Sequence, residues 1–198
     1  MTCRTCGPTP NCNPWAATDR AMSAPVRIMG VDPGSRFTGW GVIESDGMES
    51  RYVASGCIEL PRGKPMAERL AQIFKELGDI ARRERIDEAA IETVFMNKNA
   101  QSALKLGQAR GAALCALVLA GVTEPAEYSP RRVKQAVCGY GAAGKDQVSA
   151  MVARLLDHDG EFTEDEADGL ALGICHAHHR RMAQAAELAL IQEEEAVS

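Results

Sequence analysis

What the chain lacks narrows its class before any motif is considered. It has no apolar run of about 18 residues, the length a membrane-spanning helix requires, and the stretch from Ala112 to Val122 reaches only about half of that. No membrane association is expected. Nor is there a surplus of basic charge: Lys and Arg total 22 against 27 Asp and Glu, a net charge of −5. Global attraction to a polyanion is therefore excluded, and any nucleic-acid contact has to come from a local basic patch. A disulfide framework is missing too, because the 7 cysteines are odd in number and scattered through a chain that is 45% hydrophobic, unlike a small secreted scaffold. A reducing cytoplasm is the simpler expectation. No segment repeats another, and 198 residues suffice for one domain with a full core but not for two generous ones.

Residues 1–25, MTCRTCGPTPNCNPWAATDRAMSAP, show no helical or strand periodicity. Cys3, Cys6 and Cys12 lack a fourth ligand, so a zinc site is not expected there. The segment reads as a disordered extension, or as an over-long start with synthesis beginning at Met22 or Met29. Residues 26–182 are expected to carry the fold, and 183–198 to form a helix end with an acidic tail, QEEEAVS, that frays.

The ordered part opens with VRIMGVD (Val26 to Asp32), stopped by Pro33-Gly34, then GWGVIES, a Ser45-Asp46-Gly47 turn, and RYVASGCIEL: three strands in an antiparallel meander. Met66, Leu70, Ile73, Phe74, Leu77, Ile80 and Ala81 then recur with the spacing of one helical stripe. A strand, EAAIE, ends at Glu92. Ser102 to Ala120 is an Ala- and Leu-rich helix with so little charge that nearly all-round burial is expected, and Gly107 and Gly111 suggest close packing of another helix, at a dimer interface for instance. PAEYSP reads as a strand, Ser129-Pro130 as the start of a helix, and Gly139 to Gly144 as a loop. One helix then carries Val148, Met151, Val152, Leu155 and Leu156 on one face, and a last helix starts near Asp165 with Ala167, Leu170, Ala171 and Ile174 inward. The order β-β-β-α-β-α-β-α-α predicts an α/β fold: a mixed five-stranded sheet, meander first, with flanking helices.

Four acids stand out by position. Asp32 sits where an apolar strand meets a Pro-Gly turn, and Glu92 ends a second apolar strand, so both should project from neighbouring strand ends into one cleft. A carboxylate in such a place is unfavourable unless something positive compensates it. Asp165 and Asp168, three apart at a helix start, share a helical face. Taken singly, Asp165 has an ordinary role as a cap, Asp168 as a partner of the helix dipole and Asp32 as a turn opener; Glu92 has no such role. Together, carboxylates a few ångströms apart repel unless divalent cations neutralise them. Mg²⁺ suits an all-oxygen set that keeps phosphate oxygens and waters in its shell, and two ions about 4 Å apart suit phosphodiester hydrolysis.

Phe95, Met96, Asn97, Lys98 and Asn99 form a plausible single-strand contact, with an aromatic to stack on an unpaired base and polar groups to hold its backbone; Phe95 reads equally well as core. Arg131, Arg132, Lys134 and Lys145 are either solvated charges or a basic patch for DNA. His176, His178 and His179 point in different directions on a helix and read as structural rather than as metal ligands.

Four segments, GVDPGSRFTGWGVI, AIETVFMNKNAQSALKLGQARG, RRVKQAVCGYGAAGKDQV and DEADGLALGICHAH, occurring in this order between about Val26 and His178, resemble the RuvC family of Holliday-junction resolvases. The resemblance implies an RNase H-like domain that acts as a homodimer, nicks symmetric strands of four-way junction DNA with Mg²⁺ or Mn²⁺, and works in recombination and repair beside the RuvA and RuvB branch-migration proteins. It places the catalytic and metal-binding acids at Asp32, Glu92, Asp165 and Asp168, some relatives having His at the position of Asp165. Phe95 falls on the position that stacks at the crossover, and Lys134 and Lys145 on basic positions near the scissile phosphate. The Cys-bearing extension departs from the pattern. Two rivals differ in class: a branched-DNA-binding module without cleavage, and an actin-like or sugar-kinase ATPase, suggested by Asp32-x-Gly34 and Gly39 but needing a second lobe for which the chain is too short.

Overall fold

The structure, a computed structural model, describes residues 24–93 and 99–197. Cys3, Cys6 and Cys12 therefore lie outside the described residues, as do Phe95, Met96, Asn97 and Lys98. The meander forms as its sequence dictates: β1 (Val26–Asp32), β2 (Phe37–Ser45) and β3 (Ser50–Glu59) pair antiparallel, with Val31 opposite Trp40 and Asp32 opposite Gly39. At the β2–β3 turn Asp46 Oδ1 accepts from the backbone N–H groups of Met48 and Glu49, and Gly47 takes a φ of 89°, a conformation glycine adopts without a steric penalty.

β4 (Glu88–Glu92) lies parallel to β1 and β5 (Ala126–Tyr128) parallel to β4, giving the order β3-β2-β1-β4-β5. β1 is central and covered on both sides, which is why VRIMGV is apolar without alternation. Met29 and Val31 face one core with α1 (Met66–Arg83) and α2 (Ala100–Leu119). Ile28 faces the other, with α3 (Pro130–Cys138), α4 (Lys145–Leu155) and α5 (Glu164–Val197). Ser129 caps α3 by accepting from Arg132 N–H, with Pro130 in the first turn, as the sequence predicts. Among the described residues no helix is long and apolar enough to cross a membrane.

Two expectations need correction. The helix buried nearly all round is α5, in which every residue from Gly169 to Cys175 is buried, not α2. Only Ala109, Ala113, Ala116 and Leu117 of α2 are buried; Leu104, Gly107, Gly111, Cys115, Val118 and Leu119 are exposed. A Cβ at Gly107 or Gly111 would meet nothing within 4 Å, so neither glycine packs on a helix of its own chain. Phe74 and Leu155, assigned to inward stripes, sit at their margins and are 38% exposed. α5 itself runs from Glu164 through the acidic stretch to Val197.

What positions α5 is a backbone-to-backbone contact that leaves no room for side chains. A Cβ at Gly39 would stand 2.1 Å from the Asp165 carbonyl oxygen, and one at Gly41 2.6 Å from the Leu170 nitrogen. The helix thus lies directly on β1 and β2, and its first turns sit beside the end of β1.

Candidate active site

Asp32 and Glu92 are the next residues beyond the parallel pair Val31–Ile91, and period-two alternation turns both toward α5. Their side chains are hydrogen bonded to each other. With Asp168 from α5 they line a cleft of about 280 Å³, together with Lys134 of α3, Lys145 of α4 and an apolar floor that includes Val133 and Leu172. The first turns of α3 and α4 both border it through Pro130 and Lys145, so two helix N-termini add positive potential to the two lysines.

Burial is the main cause of the acids' altered proton affinity. It pushes Glu92 up to about 8, the charge of Asp32 adding to it, and Asp168 up to about 6, again with Asp32 contributing. Asp32 is raised by burial, while its hydrogen bond with Glu92 pulls the other way. The lysines oppose these effects, Lys145 acting on Asp32 and Asp168, and Lys134 on Glu92 and Asp168. Lys145 also pairs with Glu164 at the start of α5.

Asp165 is set apart from the other three. Cys57 Sγ on β3 donates to its Oδ2 at 3.5 Å; burial and then the Asp165 charge push the Cys57 thiol up to about 11, so it remains a donor. The capping role open to Asp165 belongs instead to Thr163 and Glu166: Glu166 Oε2 accepts from the Thr163 backbone N–H at 2.9 Å, and Thr163 Oγ1 accepts from the Glu166 N–H at 3.4 Å, a reciprocal capping box. Three of the four acids therefore share the cleft, and the fourth flanks it. Among the described residues no three His, Cys, Asp or Glu side chains are grouped so as to hold an ion as they stand. The donor set still fits a divalent cation. It is all oxygen and half-buried, and burial together with mutual repulsion raises its proton affinity, an effect that a bound cation's charge opposes.

The remaining sequence candidates divide. Lys134 and Lys145 lie in the cleft. Arg131 is exposed, its stem lying under Gly141, where a Cβ would come within 2.5 Å of Arg131 Cγ. Arg132 is occupied elsewhere: its Nε donates to His179 Nε2 at 2.7 Å and its guanidinium lies over the Tyr128 ring. Asn99 is the N-cap of α2, its Oδ1 accepting from Gln101 and Ser102 N–H. The histidines are structural. His179 donates from Nδ1 to the Cys175 carbonyl; His176 bridges Tyr128 and Glu88, and Glu88 also binds Arg180. Sequence reasoning missed Cys57, the glycine contact under α5 and Arg110, whose Nε donates to the Glu92 carbonyl at 3.2 Å. The only legible hint was the density of glycines in GWG and DGLALG.

A meander-first mixed sheet, with acids at the ends of its two central parallel strands and at the start of the helix laid across them, defines the RNase H-like class of nucleases. Within that class the chain belongs to the RuvC family: the family described as crossover junction endodeoxyribonuclease RuvC matches residues 28–176. Curated relatives of that name are 52% identical in Hyphomonas neptunium (80% of this chain, 94% of the relative) and 51% identical in Maricaulis maris (81% and 95%). Two solved structures of Thermus thermophilus RuvC are 32% identical. The protein alone has a TM-score of 0.71, covering 79% of this chain and 96% of the other. The complex with a Holliday junction substrate has 0.75, covering 80% and 96%. The yeast mitochondrial resolvase Ydc2, 13% identical with a TM-score of 0.55 over 89% of each chain, shares the fold.

Proposed function

We propose that this protein is a structure-selective endonuclease that resolves four-way DNA junctions by paired, symmetric phosphodiester hydrolysis in recombination and repair. The observation that carries this reading is the cleft itself: buried Asp32, Glu92 and Asp168 faced by Lys134 and Lys145. Asp32, Glu92 and Asp168 would hold Mg²⁺ or Mn²⁺, two ions per site, with Asp165 joining once it turns from Cys57. Bound there, the ions supply an activated water and stabilise the departing 3′ oxygen. The chain's own residues do the rest. Glu92 and Asp168 release the protons that burial holds on them, and Lys134 and Lys145 hold the scissile phosphate from the opposite wall. Phe95, Met96, Asn97 and Lys98 come shortly after Glu92 in the sequence and would engage bases and backbone at the crossover, with Arg131 as an outer phosphate contact.

Paired cuts need two copies. The outward stripe of α2, Leu104, Gly107, Gly111, Cys115 and Val118, is apolar, has helical spacing and is bare within one chain, which favours it as the homodimer contact. RuvA and RuvB are the expected protein partners and the cytoplasm the expected compartment, both by family resemblance.

The deciding experiment incubates a synthetic mobile four-way junction and a linear duplex with the protein, with and without Mg²⁺. Symmetric paired nicks confined to the junction are expected. Asp32→Asn and Glu92→Gln should keep junction affinity in Ca²⁺ while Mg²⁺-dependent nicking falls by about three orders of magnitude, or about 4 kcal/mol of barrier. Undiminished nicking by either variant would refute the assignment.

A further inference from the structure

We propose that Arg110 is a positioning residue for Glu92, a strut that fixes the end of β4 from behind the sheet. Arg110 lies on α2, on the face of the sheet opposite α5 and the cleft. Its Nε donates to the Glu92 main-chain carbonyl at 3.2 Å, and its Nη2 stands 2.6 Å from Glu127 Oε2 on β5. One guanidinium thus reaches from the helix to the last residue of β4 by a hydrogen bond and to Glu127 of β5 by an ion pair, two directions that the fork of arginine serves at once and a lysine ammonium does not. The Arg110 side chain is 20% exposed and that of Glu127 52%, so the guanidinium is shielded while the carboxylate end of the contact meets water.

The strut matters because of where β4 stops. The Ala90–Ala126, Ile91–Glu127 and Glu92–Tyr128 pairs are the last of the β4–β5 ladder. Beyond them, among the described residues, Thr93 holds on, its N–H and hydroxyl both donating to the Tyr128 carbonyl at 2.9 and 3.2 Å. A strand end fixed by so few bonds has freedom to twist, and a twist at Glu92 swings its carboxyl relative to Asp32. Arg110 removes that freedom at the Glu92 carbonyl. Its influence is one of placement, because its Nε reaches the Glu92 main-chain carbonyl and not the carboxyl. Groups that orient a metal ligand without touching the metal are commonly worth about 10- to 100-fold in metal affinity or activity.

The inference rests on the nuclease reading only for its activity readout, so its test includes one that does not. Arg110→Ala, Arg110→Lys, Glu127→Gln and the Arg110→Ala/Glu127→Gln double variant are compared with the parent by Mn²⁺ titration followed by electron paramagnetic resonance, by junction binding in Ca²⁺, and by kcat and KM for junction cleavage. Arg110→Ala should weaken Mn²⁺ binding and lower kcat by about 10- to 100-fold, leaving KM and junction affinity within about twofold. Arg110→Lys should recover part of the loss. Glu127→Gln should lose less than Arg110→Ala, and the double variant no more than Arg110→Ala alone, because both residues act through one strut. Circular dichroism verifies that each variant is folded at the assay temperature. The inference is overturned if folded Arg110→Ala binds Mn²⁺ like the parent, or if the two single losses simply add. A parent that binds Mn²⁺ but cuts no junction would instead defeat the nuclease reading and leave the strut to be judged on metal affinity.

Discussion

Gly30 of β1 and Gly169 of α5 meet through their backbones: a Cβ on Gly30 would stand 2.0 Å from the Gly169 carbonyl oxygen and 2.6 Å from the Gly173 nitrogen. No rotamer change relieves such a clash, since backbone is the obstacle. Gly30→Ala should therefore destabilise the protein by at least about 1–3 kcal/mol, seen as a lower midpoint in urea. Gly39→Ala, which presses on the Asp165 carbonyl, should lower cleavage by more than its loss of stability explains. A Gly39→Ala protein that cuts like the parent would show that the start of α5 has latitude.

The shared proton in the cleft gives stability an unusual pH dependence. Glu92 ordinarily titrates at 4.5 but here at about 8, and Asp168 at 3.8 but here at about 6. Folding favours the protonated forms. Their contribution is therefore full below the ordinary values and is lost as pH rises through about 6 and then about 8. In a chelator, Tm should fall over that window, and Mg²⁺ should restore it most at the alkaline end. Glu92→Gln, which cannot ionise, should flatten the upper part of the fall. Parallel Tm–pH curves for parent and Glu92→Gln in differential scanning fluorimetry would contradict this.

The basic residues should separate by function although they crowd one stretch of sequence. Lys134→Ala and Lys145→Ala, which empty the lysine wall of the cleft, should each weaken junction binding by about 1–3 kcal/mol and reduce the salt slope of log K by about one. Arg132→Ala should leave the salt slope unchanged and lower stability, since it removes the contacts to His179 and Tyr128. Fluorescence anisotropy across a salt series, beside a thermal melt, distinguishes the two patterns.

Leu104 is 69% and Val118 46% exposed on the outward side of α2. If that side is the contact between copies, Leu104→Glu or Val118→Glu should give a monomer in size-exclusion chromatography with light scattering, and junction cuts should become unpaired. A charged variant that keeps the parent's mass would place the contact elsewhere.

The architecture was legible because most elements carry a local signal: short β-branched apolar runs bounded by turns in the meander, a stripe in α1, Ser129-Pro130 at α3. The convergence of Asp32 with Glu92 was legible for the same reason, both being strand-end acids after apolar runs. Burial of whole helices was not. α2 and α5 are both poor in charge over long stretches, and only the glycines on β1 and β2 decide which of the two lies against the sheet. The offset of Asp165 was equally hidden, because the Cys57 that holds it is 108 residues away in the chain. Arg110 reads as an ordinary helical charge until β4 and β5 are seen to end beside it.

β4 carries two glutamates on one face, and their fates differ. Glu88 is matched by the His176 imidazole and the Arg180 guanidinium, a closed set of bonds that pins α5 to the far end of the sheet. Glu92, one strand length away, is given no arginine or histidine at its carboxyl among the described residues; it bonds to another acid and has Lys134 on the cleft wall. The strand thus works as a lever with a fixed and a hungry end: anchorage is completed by the fold itself, while the appetite for positive charge at the other end is left for whatever enters from solution.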